Sequence, residues 1–358
     1  MSTDQGREEN DWEEAISLGD DVPHSQPSSP AVAPAPPPMQ EAPVGASLPN
    51  TKMQRDRIVI LGRRRSGKTI FLARVYQKLW NSRDSSIHMR ALDGNSHMSL
   101  MRIIGTLDES QWPAATGGNT YSSFEVTYQE EKIPLVMLDY PGEVFRRAFV
   151  DGVMASDTKE LVEHVDRALG IICLVDPGNI LEGDLEEVAD DEFGMVQALD
   201  RVRRSVGGVD VPIALVLTKC DIHAKRIKRL GGLRRFVEGR MLNVLRVAGR
   251  FKYFGAAAVR STTDARDKDV PDMRKPPVNV IEPLTWCIEQ VVVNRKQKEQ
   301  HAARALHEQQ AREFLAAEEA SELDAERRNR AFWTWIIVLG TLAATTLIGW
   351  ALYSISQQ

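Results

Sequence analysis

Arg57-Ile58-Val59-Ile60-Leu61 runs straight into Gly62-Arg63-Arg64-Arg65-Ser66-Gly67-Lys68-Thr69, and Ile70, Leu72, Val75 and Leu79 follow at helical spacing. The short apolar run reads as a buried strand and the periodic segment as an amphipathic helix. Between them lies G-x-x-x-x-G-K-T, in the strand–loop–helix context that gives this pattern its meaning. Gly62 and Gly67 let the backbone of Arg63, Arg64, Arg65 and Ser66 curl so that N–H groups converge, and the helix N-terminus adds a positive dipole. Such a loop suits a phosphate chain. Lys68 would neutralise β- and γ-phosphate oxygens, and the Thr69 hydroxyl would ligate Mg²⁺.

A second apolar run, Ile133-Pro134-Leu135-Val136-Met137-Leu138, ends in Asp139 and continues as Tyr140-Pro141-Gly142-Glu143. Asp139 would hold Mg²⁺ through water, and the Gly142 N–H would meet the γ-phosphate. Taken alone, this is also ordinary turn chemistry; the phosphate loop gives it weight. A third run, Val211 to Leu217, precedes Thr218-Lys219-Cys220-Asp221. A carboxylate at that strand end can accept from guanine N1–H and N2–H₂, a donor pair that adenine lacks, while Lys219 lies over the base plane. A further strand over Tyr253–Val259 would offer a backbone N–H to guanine O6. Ala168–Asp176 reads as another buried strand, Glu182–Arg204 as an acidic loop and helix, and 260–282 as a loop.

These pieces, in this order, resemble a P-loop GTPase of the Ras-like, translation-factor-related class, over about residues 57–290. GRRRSGKT is similar to the first guanine-nucleotide motif, DYPG to the third and TKCD to the fourth; Ala257-Ala258 stands where the fifth has Ser-Ala. Gln111-Trp112-Pro113-Ala114-Ala115-Thr116 followed by DYPGE resembles, more narrowly, the bacterial YcjX-like and double-GTPase-type groups. That resemblance makes Thr116 the switch threonine reaching Mg²⁺ and the γ-phosphate, although Thr120 stands nearby and Gly117-Gly118 loosen the loop. It implies an α/β fold: a P-loop NTPase three-layer sandwich with a mostly parallel sheet and the nucleotide at its carboxyl ends. It also implies GTP hydrolysis with Lys68, Thr116 and Glu143 as the catalytic set. Two features depart from the pattern. Glu143 replaces the glutamine that orients the attacking water in Ras-like enzymes, which points to slow intrinsic hydrolysis. Arg64, two places after Gly62, suits a built-in arginine finger or an obstacle to an external one; the alternative is arginines turned to solvent or to acids of the tail.

Charge and composition divide the remaining chain. The 358 residues carry a net charge of −5, which argues against nucleic-acid binding by bulk charge, and the three cysteines, Cys173, Cys220 and Cys287, form neither a C-x-x-C pair nor a disulfide framework. Residues 1–50 hold nine acids against Arg7 and nine of the 18 prolines, and read as a disordered acidic, Pro-rich tail without the apolar core of a signal peptide. Within it, Trp12 to Leu18 is an island that could fold on a partner. Residues 51–290 form the nucleotide domain. Residues 291–330, with eight bases and eight acids between Arg295 and Arg330, read as a helical stalk rather than a coiled coil. Ala331–Tyr353 contains no charge over 23 positions, roughly 34 Å of helix, enough for a ~30 Å hydrocarbon core. Trp333 and Trp335 sit at one end, Trp350 and Tyr353 at the other, and Arg327, Arg328 and Arg330 precede the span. This predicts a single membrane anchor with the domain on the cytoplasmic side and a short tail over 354–358. Gly340-x-x-x-Ala344 and Thr345-x-x-x-Gly349 leave room for a homodimer through the span. From Ala224 to Lys252 there are ten bases and one acid, Glu238. Such a stretch suits anionic lipid, an acidic protein partner or the chain's own tail; with no aromatic platform interleaved, nucleic acid is not expected.

Overall fold

The computed structural model describes residues 56–63, 65–80, 82, 86–114, 120–140, 142–204, 211–264 and 267–356. Ile58, Val59, Ile60 and Leu61 are all buried in β1 (Arg57–Gly62), on both faces, as a central parallel strand requires. β2 (Ile87–Ala91), β3 (Thr120–Tyr128), β4 (Glu131–Asp139), β5 (Ala168–Val175), β6 (Pro212–Leu217) and β7 (Arg250–Gly255) complete a seven-stranded sheet of order β2-β3-β4-β1-β5-β6-β7. The pairs from β4 through β7 are parallel, and β2–β3 and β3–β4 are antiparallel. Parallel neighbours demand crossovers, and the helices that provide them cover both faces.

Alternation along the strands sorts the core into two halves. Ile58, Ile60, Met137, Ile172, Leu174 and Val216 pack against α1 (Lys68–Trp80), α2 (Gly94–Asp108) and the start of α10 (Glu282–Ser356). Val59, Leu61, Val136, Ile171, Cys173 and Leu215 pack on the opposite face. There they meet α3 (Gly142–Phe149), α4 (Ser156–Asp166) and α6 (Leu185–Arg204). α7 (Cys220–Arg229), α8 (Gly232–Arg240) and α9 (Leu242–Val247) join the same half, and the short α5 (Pro177–Glu182) lies between β5 and α6. Each fully buried Leu, Ile or Val side chain contributes about 1.5–3 kcal/mol. The result is the three-layer α/β/α sandwich that the motifs implied.

Several elements depart from the sequence expectation. Residues 260–282, expected as a loop, contain a hairpin of β8 (Arg260–Thr263) and β9 (Asp269–Asp272). Its strands have four residues each, too short for their alternation to stand out from Asp, Arg and Pro. β2, α2 and β3 fill a stretch that the motifs do not mark. Asp93 caps α2, accepting Ser96 N at 2.7 Å, and those bonds hold its carboxyl below the usual range. The last sheet strand stops at Gly255 rather than Val259, because the chain turns away to pair Ala257 with Val278.

The chain divides into one unit through Val292 and another from Val293. In the first, Leu284, Cys287, Ile288 and Val291 bury one stripe of α10 at helical spacing, and Pro283 in its opening turn needs no N–H partner. In the second, α10 is exposed at its described side chains from Lys296 onward, with Asn294 and Arg295 half-buried. α10 holds one segment that is long and apolar enough to cross a membrane, by length and composition.

Candidate nucleotide site

Gly62 ends β1 where no side chain fits: a Cβ there would lie 2.6 Å from Ser66 Oγ and 2.8 Å from Leu174 O. Arg65 and Gly67 adopt positive φ, 66° and 79°, and Phe71 N donates to Gly67 O at 2.8 Å, so the loop curls directly into α1. Lys68 Nζ is buried in the curl and donates to Gly62 O at 2.7 Å and Arg63 O at 2.9 Å. A buried ammonium needs acceptors, and here two are the loop's own carbonyls. The Tyr140 ring lies 4.9 Å from that nitrogen, and the Tyr140 hydroxyl accepts Gly62 N–H at 3.3 Å. Tyr140 therefore braces the loop from the segment that follows Asp139. Thr218 braces it from the other side, its hydroxyl 2.9 Å from Ser66 O and 3.2 Å from Val175 O. The sequence placed Thr218 at the nucleotide; in the structure it ties the phosphate loop to the ends of β5 and β6.

The turn after β6 is stitched to the exit of β7 by Ala256 N to Leu217 O, 2.7 Å, and Cys220 N to Ala256 O, 3.1 Å. Lys219 sits in the left-handed region (φ 52°) and donates to Asp176 Oδ2 at 2.6 Å. Asp176, buried, also accepts Gly178 N at 2.8 Å, and His223 Nε2 lies 3.6 Å from Asp176 Oδ1. Asp221 follows in the first turn of α7. Its Oδ1 is buried and has no hydrogen-bond partner among the described residues. Burial pushes its pKa up, and the backbone amides of Asp221 and Ile222 oppose this. A buried acceptor of this kind suits a ligand donor pair. Ala257 N is already bound to Val278 O at 3.1 Å, so its amide is engaged within the fold. Arg74 Nε holds Ala258 O at 3.2 Å.

On the phosphate side, Asp139 ends β4 beside β1 and lies in register with Thr120 at the start of β3. Gly142 and Glu143 open α3, and Glu143 is exposed. Thr69 stands in the first turn of α1. Thr69 and Asp139 would supply oxygen donors, which suit a hard cation that keeps most of its waters. Arg65 is exposed, while Arg63 turns away from the loop to pair with Asp191 of α6; the adjacent Asp190 pairs with Arg146 of α3 at 3.3 Å. Arg64 and Thr116 lie outside the described residues, as do Ala115, Gly117, Gly118 and Pro141.

Residues 59–201 match the family model Double-GTPase 1. Over these residues the chain is similar to a P-loop GTPase domain of the double-GTPase type. No curated protein matches the chain. Among solved structures, the Arl6 BBS3 small GTPase of Trypanosoma brucei with the nucleotide analogue GppNp is similar at 16% identity, over 67% of this chain and 99% of that one, with a TM-score of 0.37. The ADP ribosylation factor-like GTP-binding protein, small COPII coat GTPase SAR1, of Encephalitozoon cuniculi with GDP matches at 12% identity, over 69% and 84%, with a TM-score of 0.34. Roco2 RocCORdC of Methanosarcina barkeri bound to GDP matches at 16% identity, over 57% and 44%, with a TM-score of 0.28.

Two further side chains, Asp176 and Tyr140, shape the candidate site. Asp176 shows in the sequence only as the end of a buried strand before Pro177-Gly178, a turn one residue shorter than Asp139-Tyr140-Pro141-Gly142. Tyr140 gives no sign of its role in the sequence: its contacts with Gly62 and Lys68 are non-local, and no local pattern reports them.

Proposed function

We propose that the GTPase domain binds GTP with Mg²⁺, hydrolyses it, and works as a switch on the cytoplasmic face of a membrane that the helix over 331–353 spans. The observation that carries the guanine reading is the buried Asp221 Oδ1, without a hydrogen-bond partner among the described residues, in the first turn of the helix after β6. GTP with Mg²⁺ would order the segment from Gln111 to Thr120, including Thr116, and the stretch from Asp139 to Glu143, and hydrolysis would release both. The in-register pairing of Thr120 with Asp139 supports their moving together. Bound Mg²⁺ would neutralise charge on the β- and γ-phosphates, held by Thr69, Asp139 and Thr116. Arg63, bound to Asp191, would contribute backbone rather than side chain; Ser66, Gly142, Lys219 and Ala258 complete the nucleotide contacts.

A second reading has support in Glu143. An exposed carboxylate at the water-positioning place favours a nucleotide-binding scaffold that turns over slowly and recruits partners. The full chain in detergent separates the two. Binding of GTP over ATP with phosphate release over many turnovers, lost in Lys68→Ala, is the result expected of the switch. Selective binding without turnover would leave the scaffold. Equal affinity for GTP and ATP would remove the guanine reading.

A further inference from the structure

α7, α8 and α9 spend their apolar residues inward. Ile227, Leu233, Phe236, Val237 and Val244 join the core, while Lys225, Arg226, Lys228, Arg229, Arg234, Arg235, Arg240 and Arg246 are exposed. Between Ala224 and Lys252 the only acid is Glu238, which pairs with Arg234 at 2.8 Å. Arg226 pairs with Glu182. The surface is therefore strongly basic. It is not purely polar, since Leu230 and Leu242 remain 41% and 47% exposed among the bases.

A segment of complementary chemistry lies in the same chain. Residues 1–21 hold eight acids against Arg7, and Trp12, Ile16 and Leu18 are interleaved with them. About 34 residues join this segment to Asp56. Fully extended they would reach on the order of 110 Å, and as a flexible coil about 30 Å. A compact domain of ~230 residues has a diameter of about 45 Å. The tether is long enough to reach and short enough to hold the segment at roughly millimolar effective concentration.

We propose that the acidic segment over residues 4–21 docks on the basic outer face of α7–α9 of its own chain, with Trp12, Ile16 and Leu18 against Leu230 and Leu242. Acids placed over a surface with a large excess of bases gain Coulomb energy, and the apolar contacts add burial that salt does not screen. The segment occupies the face in the resting chain and must leave before an anionic lipid surface or another acidic protein can use it. α7 begins at Cys220 and carries Asp221 in its first turn, so the docked segment also bears on the element that reads the base. The docking itself does not depend on GTP hydrolysis.

The test uses the full chain in detergent, a variant lacking residues 2–50, and a fluorescent synthetic peptide of residues 1–21. The peptide should bind the shortened chain with micromolar affinity, at least tenfold more weakly at 200 mM than at 50 mM salt. It should bind the intact chain at least fivefold more weakly, because the chain's own segment competes. The triple variant Arg229→Glu, Arg235→Glu, Arg246→Glu, made in the shortened chain, should lose at least tenfold of the peptide affinity while keeping its circular dichroism and GTP affinity. Absence of peptide binding to the shortened chain overturns the proposal, as does equal binding by the intact and shortened chains. Binding of phosphatidylserine vesicles equally by both chains would assign the face to lipid instead.

Discussion

Asp221 is a residue whose burial works against stability and for recognition. A carboxylic acid whose folded pKa is raised adds stability that is fully present below its unfolded pKa and lost as pH rises through the folded one. Once pH has risen past that raised value, the nucleotide-free chain carries a charge whose buried Oδ1 has no hydrogen-bond partner among the described residues. Asp221→Asn should raise the melting temperature of the nucleotide-free chain by roughly 2–4 °C at pH 7–8, the equivalent of about 1 kcal/mol. Thermal scans at pH 3, where both forms are neutral, should show no difference. The same variant places an N–H where guanine presents its own donors, and should lose about 100-fold in GTP affinity with ATP affinity unchanged. An equal loss for both nucleotides would count against base reading by Asp221. Asp176 acts one step back. It holds Lys219 at 2.6 Å and caps α5 through Gly178, so under the proposed function it is a positioning residue for Lys219. Asp176→Asn should lower GTP affinity about tenfold through a faster off-rate, with circular dichroism unchanged; stopped-flow release of a fluorescent GDP analogue reads it.

At the scale of elements, the close approaches explain which positions tolerate nothing larger. A Cβ on Gly170 of β5 would lie 2.6 Å from Cys287 Sγ and 3.2 Å from Val291 Cγ2 of α10. Gly170→Ala should therefore destabilise the fold by about 1–3 kcal/mol, and Cys287→Ala in the same chain should restore part of it. Denaturant midpoints of the two single variants and the double variant measure the coupling; strict additivity would mean that the two do not meet. Cys287 is fully buried and burial raises its pKa, as it raises Cys173 and Cys220 to about 12, so none of these three thiols is a nucleophile at neutral pH. The strands that carry motifs were legible because each is a continuous buried run ending in a functional turn. β1, β4, β5 and β6 fall where their apolar residues lie. β2, α2 and β3 were not read, because β2 has only five residues and its pairing with β3 links positions about forty apart. The motifs marked the glycine-rich turn after β1, Asp139 at the end of β4 and Asp221 in the first turn of α7. They did not reveal that Arg63 would turn to Asp191, that the Ala257 amide would be taken by Val278, or that Tyr140 would brace Gly62, since each contact is made by a partner far away in sequence.

For the whole molecule, the decisive property is the contrast between the two parts of α10. Its first turns are a core stripe of the GTPase domain, and its later apolar segment has a mean hydropathy of 1.8 over the best window with none of that window buried. An exposed apolar surface of that length is a liability in water unless lipid or another chain covers it. Arg327, Arg328 and Arg330 stand just before this apolar segment, and Arg330 bonds Glu326 at 3.1 Å. If the segment spans a bilayer, a charge at its centre is penalised by about 2.5–3.5 kcal/mol. Leu339→Arg should then reduce the membrane-integrated fraction of newly made chain at least tenfold, measured by resistance to carbonate extraction, while Leu306→Arg, an exposed position earlier on α10, should change nothing. GTP affinity should be the same in both variants, because neither touches the phosphate loop. Full extraction of the unsubstituted chain by carbonate would instead place the segment on a protein surface, and the GTPase domain would then need a partner chain, not a bilayer, to cover the helix.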